Sequence, residues 1–140
     1  MKDTDVEMYK KHFKNNDLLG SLFDYDIVSL TKEECIFKFE VSPKHFNPNG
    51  TLHGGALFSV MDSCQGAFMH YTLEDIYQYA VTGTATIKYL KPLTKGEIFM
   101  RTTLKEKIKR KLILSTVATD EKNEKVATLE EIWIAIRRQN

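Results

Sequence analysis

The chain has no apolar run approaching the ~18 residues that a membrane-spanning helix needs, so no span is expected. Its amino terminus, MKDTDVEMYKKHFKNND, is charged throughout and carries no apolar signal core. A cytoplasmic location is the default expectation. There are only two cysteines, Cys35 and Cys64, and without a secretory signal both are expected to be reduced. An excess of either charge is missing too: 20 basic against 19 acidic residues leave a formal net charge of +1. That near-neutrality argues against nucleic acid as a partner. No H-x-x-E-H, H-E-x-x-H or C-x-x-C spacing occurs, so no metal and no cofactor are expected. Repeats, low-complexity segments and an evident linker are absent. At 140 residues and 16.2 kDa the chain is long enough for a single core.

The most informative scarcity is local. Between Lys44 and Glu74 the only formally charged residue is Asp62, in a chain that is 28% charged. This stretch, HFNPNGTLHGGALFSVMDSCQGAFMHY, opens with the turn formers Asn47, Pro48, Asn49 and Gly50. It continues with Leu57, Met61, Cys64, Phe68 and Tyr71 at alternating steps of four and three, which is a helical stripe. Phe58, Val60, Ala67 and Met69 make the opposite side apolar as well, so the helix is expected to be buried nearly all round. Phe58, Met61, Met69 and Tyr71 suit either the core or the wall of a tunnel. An ionised carboxylate is costly to bury without a partner, so Asp62 either meets a polar group or faces a cavity.

Gly54 and Gly55 begin the helix, where glycine allows close approach to the backbone. The unpaired N–H groups and the helix dipole there form a ready oxyanion site. Asp62 lies eight residues further on, ~12 Å along one helix. That is too far for both to act on one carbonyl, which hints at a second copy of the helix and therefore a dimer. Cys64 is on the apolar stripe, out of reach of His53, and reads as a small hydrophobe.

Around this helix, residues 4 to 16 read as a short amphipathic helix that Thr4 could cap. Leu22–Leu30 and Cys35–Val41 read as a hairpin. Four strands follow the central helix: Ala80–Leu90, Glu97–Ile108, Lys111–Thr119 and Val126–Arg137. In the first of these, Val81, Gly83, Ala85, Ile87 and Tyr89 alternate with Thr82, Thr84, Thr86 and Lys88. An antiparallel sheet with one helix packed across it gives an α+β class. The expected division is a helical segment over residues 1–20 and a single domain over residues 21–140.

The motif HGGALFSVMD, preceded by Asn47 and Gly50, resembles the signature of hotdog-fold acyl-CoA thioesterases of the PaaI/THEM2 type. The resemblance runs over roughly Leu22 to Arg137. It implies a sheet wrapped around a long central helix, hydrolysis of acyl-CoA to free acid and CoA, and a homodimer or dimer of dimers. By the same resemblance, the Gly54 N–H would polarise the thioester carbonyl. Asn47 and His53 would assist around the carbonyl and sulfur. Asp62 of the partner subunit would act as nucleophile or general base, with Thr82, in place of the more usual Ser, positioning water. Gly55, Phe58, Gln65 and Lys91 are further candidates to contact substrate. Lys88, Lys95 and the run Lys105 to Lys111, five basic residues in seven, are rivals of Lys91 for the phosphates of coenzyme A.

Two rivals use the same stretch. Dehydratases of this fold carry a loop histidine like His45 and an acid five residues after the glycine matching Gly54, but that position is Ser59. A non-catalytic hotdog protein that binds acyl-CoA or another apolar ligand is the other. Asp62 counts against it, since a pure binder gains nothing from an unpaired carboxylate beside its pocket.

Overall fold

Inward-facing apolar positions, two residues apart along each strand, decide where the sheet lies. The computed structural model describes residues 3–139; the Thr4 side chain, the expected helix cap, lies outside the described residues. The order is helix α1 (Asp3–Asn16), strands β1 (Asp26–Leu30) and β2 (Cys35–Glu40), helix α2 (Gly54–Thr72), then β3 (Tyr77–Tyr89), β4 (Glu97–Ile108), β5 (Lys111–Thr119) and β6 (Lys125–Arg137). All six strands form one antiparallel sheet in the order β1-β2-β4-β5-β6-β3. This is the expected hotdog arrangement.

The sheet curls around α2. Phe37 and Phe39 of β2, Ile98 and Met100 of β4, Leu114 and Ala118 of β5, and Leu129 of β6 are buried. They meet Leu57, Val60, Met61, Cys64, Ala67 and Phe68 of α2, also buried. Met61, Met69 and Tyr71 are therefore core residues, and only Phe58 of the suggested tunnel walls is half-buried. Cys35 and Cys64 are free, buried thiols, and Cys64 accepts a contact from the Thr102 hydroxyl at 3.2 Å. Among the described residues no helix is long and apolar enough to cross a membrane.

Two strand starts differ by more than one residue from the sequence reading, and one strand breaks its expected alternation. Residues Gly20–Phe23 form a short 3-10 turn that ends at Asp24, whose φ is 55°, so β1 starts at Asp26 rather than Leu22. β3 starts at Tyr77, not Ala80, because Tyr77 pairs with Arg137 and Tyr79 with Ile136. Within β3 a bulge at Gly83 falls between the Thr82–Trp133 and Thr84–Ile132 pairs. Directly opposed residues share a face, so Thr82 joins Ala80, Ala85 and Tyr89 on the helix side, and strict alternation fails at Gly83.

Gln65 ties α2 to the sheet. Its amide N–H groups donate to Leu114 O at 3.2 Å, Thr116 Oγ1 at 3.0 Å and Leu129 O at 3.3 Å. Its Oε1 accepts from Trp133 Nε1 at 2.9 Å. The side chain is fully buried and all its polar atoms are engaged, which corrects the expectation that it contacts substrate. Gln65→Leu strands the Trp133 N–H without an acceptor and should cost ~1–3 kcal/mol; urea unfolding followed by Trp133 fluorescence measures it.

Candidate functional site

The amino-terminal end of α2 is built by a closed loop. Asn47 Oδ1 accepts from the backbone N–H of Asn49 at 2.9 Å and of Thr51 at 3.2 Å, and its Nδ2 donates to Thr51 Oγ1 at 2.9 Å. The carboxamide thus folds the loop and keeps one N–H to offer. His53 is the helix N-cap: its Nδ1 accepts from the Gly55 N–H at 2.7 Å. As the first residue of α2, Gly54 has no acceptor one turn earlier in the helix for its own N–H. The Gly54 carbonyl accepts from Tyr89 Oη at 2.8 Å. A methyl group on Gly54 would lie 3.1 Å from the Tyr89 ring, and one on Gly55 would lie 2.9 Å from His53 Nδ1. Asn47, Thr51, Gly54, Leu57, Tyr89 and Lys91 line one cavity of about 340 Å³.

Lys91 is less free than the sequence suggests. Its ammonium pairs with Asp120 at 2.5 Å and Glu124 at 3.1 Å, and these partners raise its pKa. The basic run at 105–111 is a solvated hairpin. Lys109 takes a φ of 56° in its turn, Lys105 pairs with Glu130 at 3.3 Å, and Lys107 pairs with Glu74, just beyond the other end of α2. His45 is buried between Phe23 and Phe39, each ring centroid 5.3 Å away, and desolvation lowers its pKa.

Asp62 lines a different cavity, of about 450 Å³, together with Ser63, Gly66 and His70 of α2, Trp133 of β6, and Tyr9, His12, Phe13, Asn16 and Asp17 from α1 and its end. α1 is held there by Tyr9 Oη, which donates to Ala67 O at 2.7 Å. Asp17 accepts from Tyr25 Oη at 2.7 Å. His12 and His70 are exposed. Asp62 itself is half-buried, and desolvation raises its pKa above the usual 3.8.

Beneath it lies a residue the sequence reading missed. Glu131 of β6 is fully buried, and neither carboxyl oxygen meets an N–H or hydroxyl donor among the described residues. Gln65, one turn along α2 from Asp62, bonds Leu129 O and Trp133 Nε1 on either side of Glu131, which sets the Asp62 turn of the helix over this carboxyl. Burial, then the neighbouring Asp62, pushes Glu131 up to about 9. The available signal was in the inward register of β6: Ala127, Leu129, Glu131, Trp133 and Ala135 share one face, and only Glu131 is ionisable. Tyr89 was missed as well, with no motif to mark it.

Within one chain, then, Asn47, Gly54 and Lys91 share one cavity, with His53 and Gly55 at its helix cap, while Asp62 opens onto another. Thr82 sits opposite Trp133, on the Asp62 side. Phe58 and Gln65 line neither cavity. Among the described residues no cluster of three or more His, Cys, Asp or Glu is arranged to hold a metal.

A family described as a domain of unknown function (DUF4442) matches residues 23–134. A Saccharolobus solfataricus protein provisionally named an esterase, SSO1253, is 26% identical, over 91% of this chain and 95% of its own length. The Escherichia coli PaaI protein of the phenylacetic acid degradation operon superposes with a TM-score of 0.81 at 20% identity, covering 91% of each chain. A Streptococcus mutans protein, smu.793, solved bound to acetyl-CoA, superposes at 0.74 with 23% identity, covering 83% of this chain and 91% of the other. The solved structures establish the shared fold.

The helix cap can be tested directly. Gly55→Ala should push the His53 ring off the Gly55 N–H, and His53→Ala removes the same bond, each at ~0.5–2 kcal/mol. If one interaction is at stake, the double variant costs no more than the larger single loss. Additive losses in urea unfolding would show that His53 is not the cap.

Proposed function

The chain belongs to the family described as a domain of unknown function (DUF4442), and from the hotdog fold with its two separate half-sites we propose that it is an acyl-CoA thioesterase whose active site is shared between two copies of the chain. The observation that carries this reading is the division along α2: an open helix N-terminus in one cavity and a half-buried carboxylate in another. Eight helical residues hold them ~12 Å apart, so one thioester meets both only if a second chain supplies the other. The edge strand supports that pairing. β3 ends the sheet, is 13 residues long, and exposes Tyr79, Val81 and Tyr89. A long apolar edge is a template for pairing with another chain.

In this reading the thioester carbonyl accepts hydrogen bonds from the Gly54 N–H and the remaining Asn47 N–H of one chain. Asp62 of the other chain takes a proton from water while the water oxygen bonds to the carbonyl carbon, with the Thr82 hydroxyl orienting it. The C–S bond then breaks and the departing thiolate of coenzyme A takes up the proton held by Asp62, which restores the carboxylate. Direct attack by the Asp62 carboxylate is the alternative first step. Neither route calls on a metal or cofactor. A relative of the same fold that holds acetyl-CoA, and a relative provisionally named an esterase, support a thioester as the substrate class. Lys91 lines the Gly54 cavity but is already neutralised, which leaves Lys88 and Lys95 as the freer charges to meet the phosphates.

Asp62→Asn should preserve the fold and reduce hydrolysis of a panel of acyl-CoA substrates by ~10²-fold or more. Near-normal turnover would remove Asp62 from the reaction, whereas a wild-type chain that binds acyl-CoA without hydrolysing it would belong to the ligand-binding class. Because the pKa of Asp62 is raised by desolvation, the base form is lost earlier on acidification than for a free Asp. Activity should therefore fall at a pH above the ordinary carboxylate range; a profile flat into that range would exclude Asp62 as the titrating base. For sharing, Asn47→Ala and Asp62→Asn, each inactive alone, are unfolded and refolded together. A mixed two-fold dimer then holds one intact site, and the mixture should regain about a quarter of wild-type activity. No recovery despite proven exchange would refute the shared site.

A further inference from the structure

Glu131 has no role in the reaction as written, yet its position is chemically expensive. It sits in the middle of β6, between Leu114 of β5 and Ala85 of β3 in the sheet register, with buried Leu129 and Trp133 on the same face. Leu114, Ala85 and Leu129 carry no side-chain donor, and the Trp133 N–H is given to Gln65 Oε1 at 2.9 Å. α2 packs over this face: Gln65 spends its amide on Leu114, Thr116, Leu129 and Trp133, and Asp62, one turn earlier, shares a cavity with Trp133. An apolar residue of similar volume would remove a buried polar group at no loss of packing. Stability alone therefore does not explain a glutamate here.

We propose that Glu131 is a positioning residue for Asp62: a neutral carboxyl on β6 that donates its proton in a hydrogen bond to the Asp62 carboxylate, fixing the orientation of that carboxylate and holding it ionised. This rests on the reading of Asp62 as the catalytic carboxylate. Two acids joined by a hydrogen bond hold one proton between them and titrate as a pair. Burial assigns it to Glu131, the more deeply enclosed of the two. The protonated acid is at once a donor and an acceptor, so it satisfies one oxygen of Asp62 and leaves the other free for water. The other titratable groups around the Asp62 cavity are Tyr9 and His12 of α1, Asp17 at its end, and His70 of α2. β5 and β3 present none opposite Glu131, only Leu114 and Ala85.

Two measurements do not depend on turnover. In a carbon-13 NMR titration of the side-chain carboxyls, Glu131 should remain protonated through neutral pH and titrate near 9. Its transition should move lower in Asp62→Asn, which removes the adjacent anion. Stability supplies the second. A carboxyl that ordinarily titrates at 4.5 and is raised to about 9 in the fold binds its proton more tightly when native. Its contribution is therefore complete below 4.5 and declines as pH rises towards 9. Glu131→Gln should abolish that decline in pH-dependent unfolding.

Activity then separates positioning from mere filling of space. Glu131→Leu removes the donor; it should move the acid limb of kcat/KM to higher pH and lower kcat by about tenfold. Glu131→Gln, which keeps an N–H, should recover most of the loss. A Glu131 that ionises in the ordinary carboxylate range overturns the proposal, as does a Glu131→Leu profile matching wild type beside an inactive Asp62→Asn. Full activity in Asp62→Asn would instead sink the catalytic reading of Asp62, and the positioning role with it.

Discussion

A carboxyl group set on the inner face of a sheet, against a helix that is otherwise apolar, constrains everything around it. Among the described residues no Asp62 or Glu131 ion pair to a cation is found, and burial raises the pKa of both acids; in the proposed pair they persist in the core by sharing a proton. That requirement in turn demands a rigid interface, because two acids sharing a proton tolerate little change in separation. Gln65 supplies the rigidity one turn along α2. It is anchored to β5, to β6 and to the Trp133 indole, which flanks Glu131 by two residues on the same strand face. The tie and the acid pair thus belong to one contact between α2 and β6.

The other half of the site depends on small groups and backbone. At the start of α2 the polar work is done by main-chain atoms, and the side chains around them serve mostly to hold loops. Asn47 closes its own turn and His53 caps its own helix. Glycine at position 55 leaves the room His53 needs, and Tyr89 reaches over from the end of β3 to the Gly54 carbonyl. This links the helix terminus to the edge strand, so a displacement of β3 is felt directly at Gly54.

Much of this was legible in the sequence because it is written at short range. The helical stripe from Leu57 to Tyr71, the turn formers before it and the single charge at Asp62 fix α2 and its unusual residue without knowledge of neighbours. The long strands β4 and β5 were placed to the residue by their flanking turns. The failures are all non-local. The bulge at Gly83 is a property of the pairing with β6, and it alone puts Thr82 on the helix side. Gln65 looked like a polar residue waiting for substrate because its four partners come from distant strands. Glu131 was passed over because a glutamate beside Glu130 in a strand reads as solvent-facing, until the register shows which of the two points inward.

The separation along α2 also determines what a second chain would have to achieve. Helix geometry fixes the Gly54–Asp62 distance at ~12 Å in every copy, and the Gln65 tie keeps the helix from sliding over the sheet. Neither half-site can be tuned by moving along its own chain. In the proposed dimer the remaining freedom is the register with which two β3 edges meet, and a one-residue slip in such a pairing would reverse the face of every side chain. The bulge at Gly83 and the Tyr89 contact at the strand's end are the features of β3 that resist a slip. The precision of a shared site would therefore reside in an edge strand some distance from the reacting carbonyl, while the chemistry resides in the helix it covers.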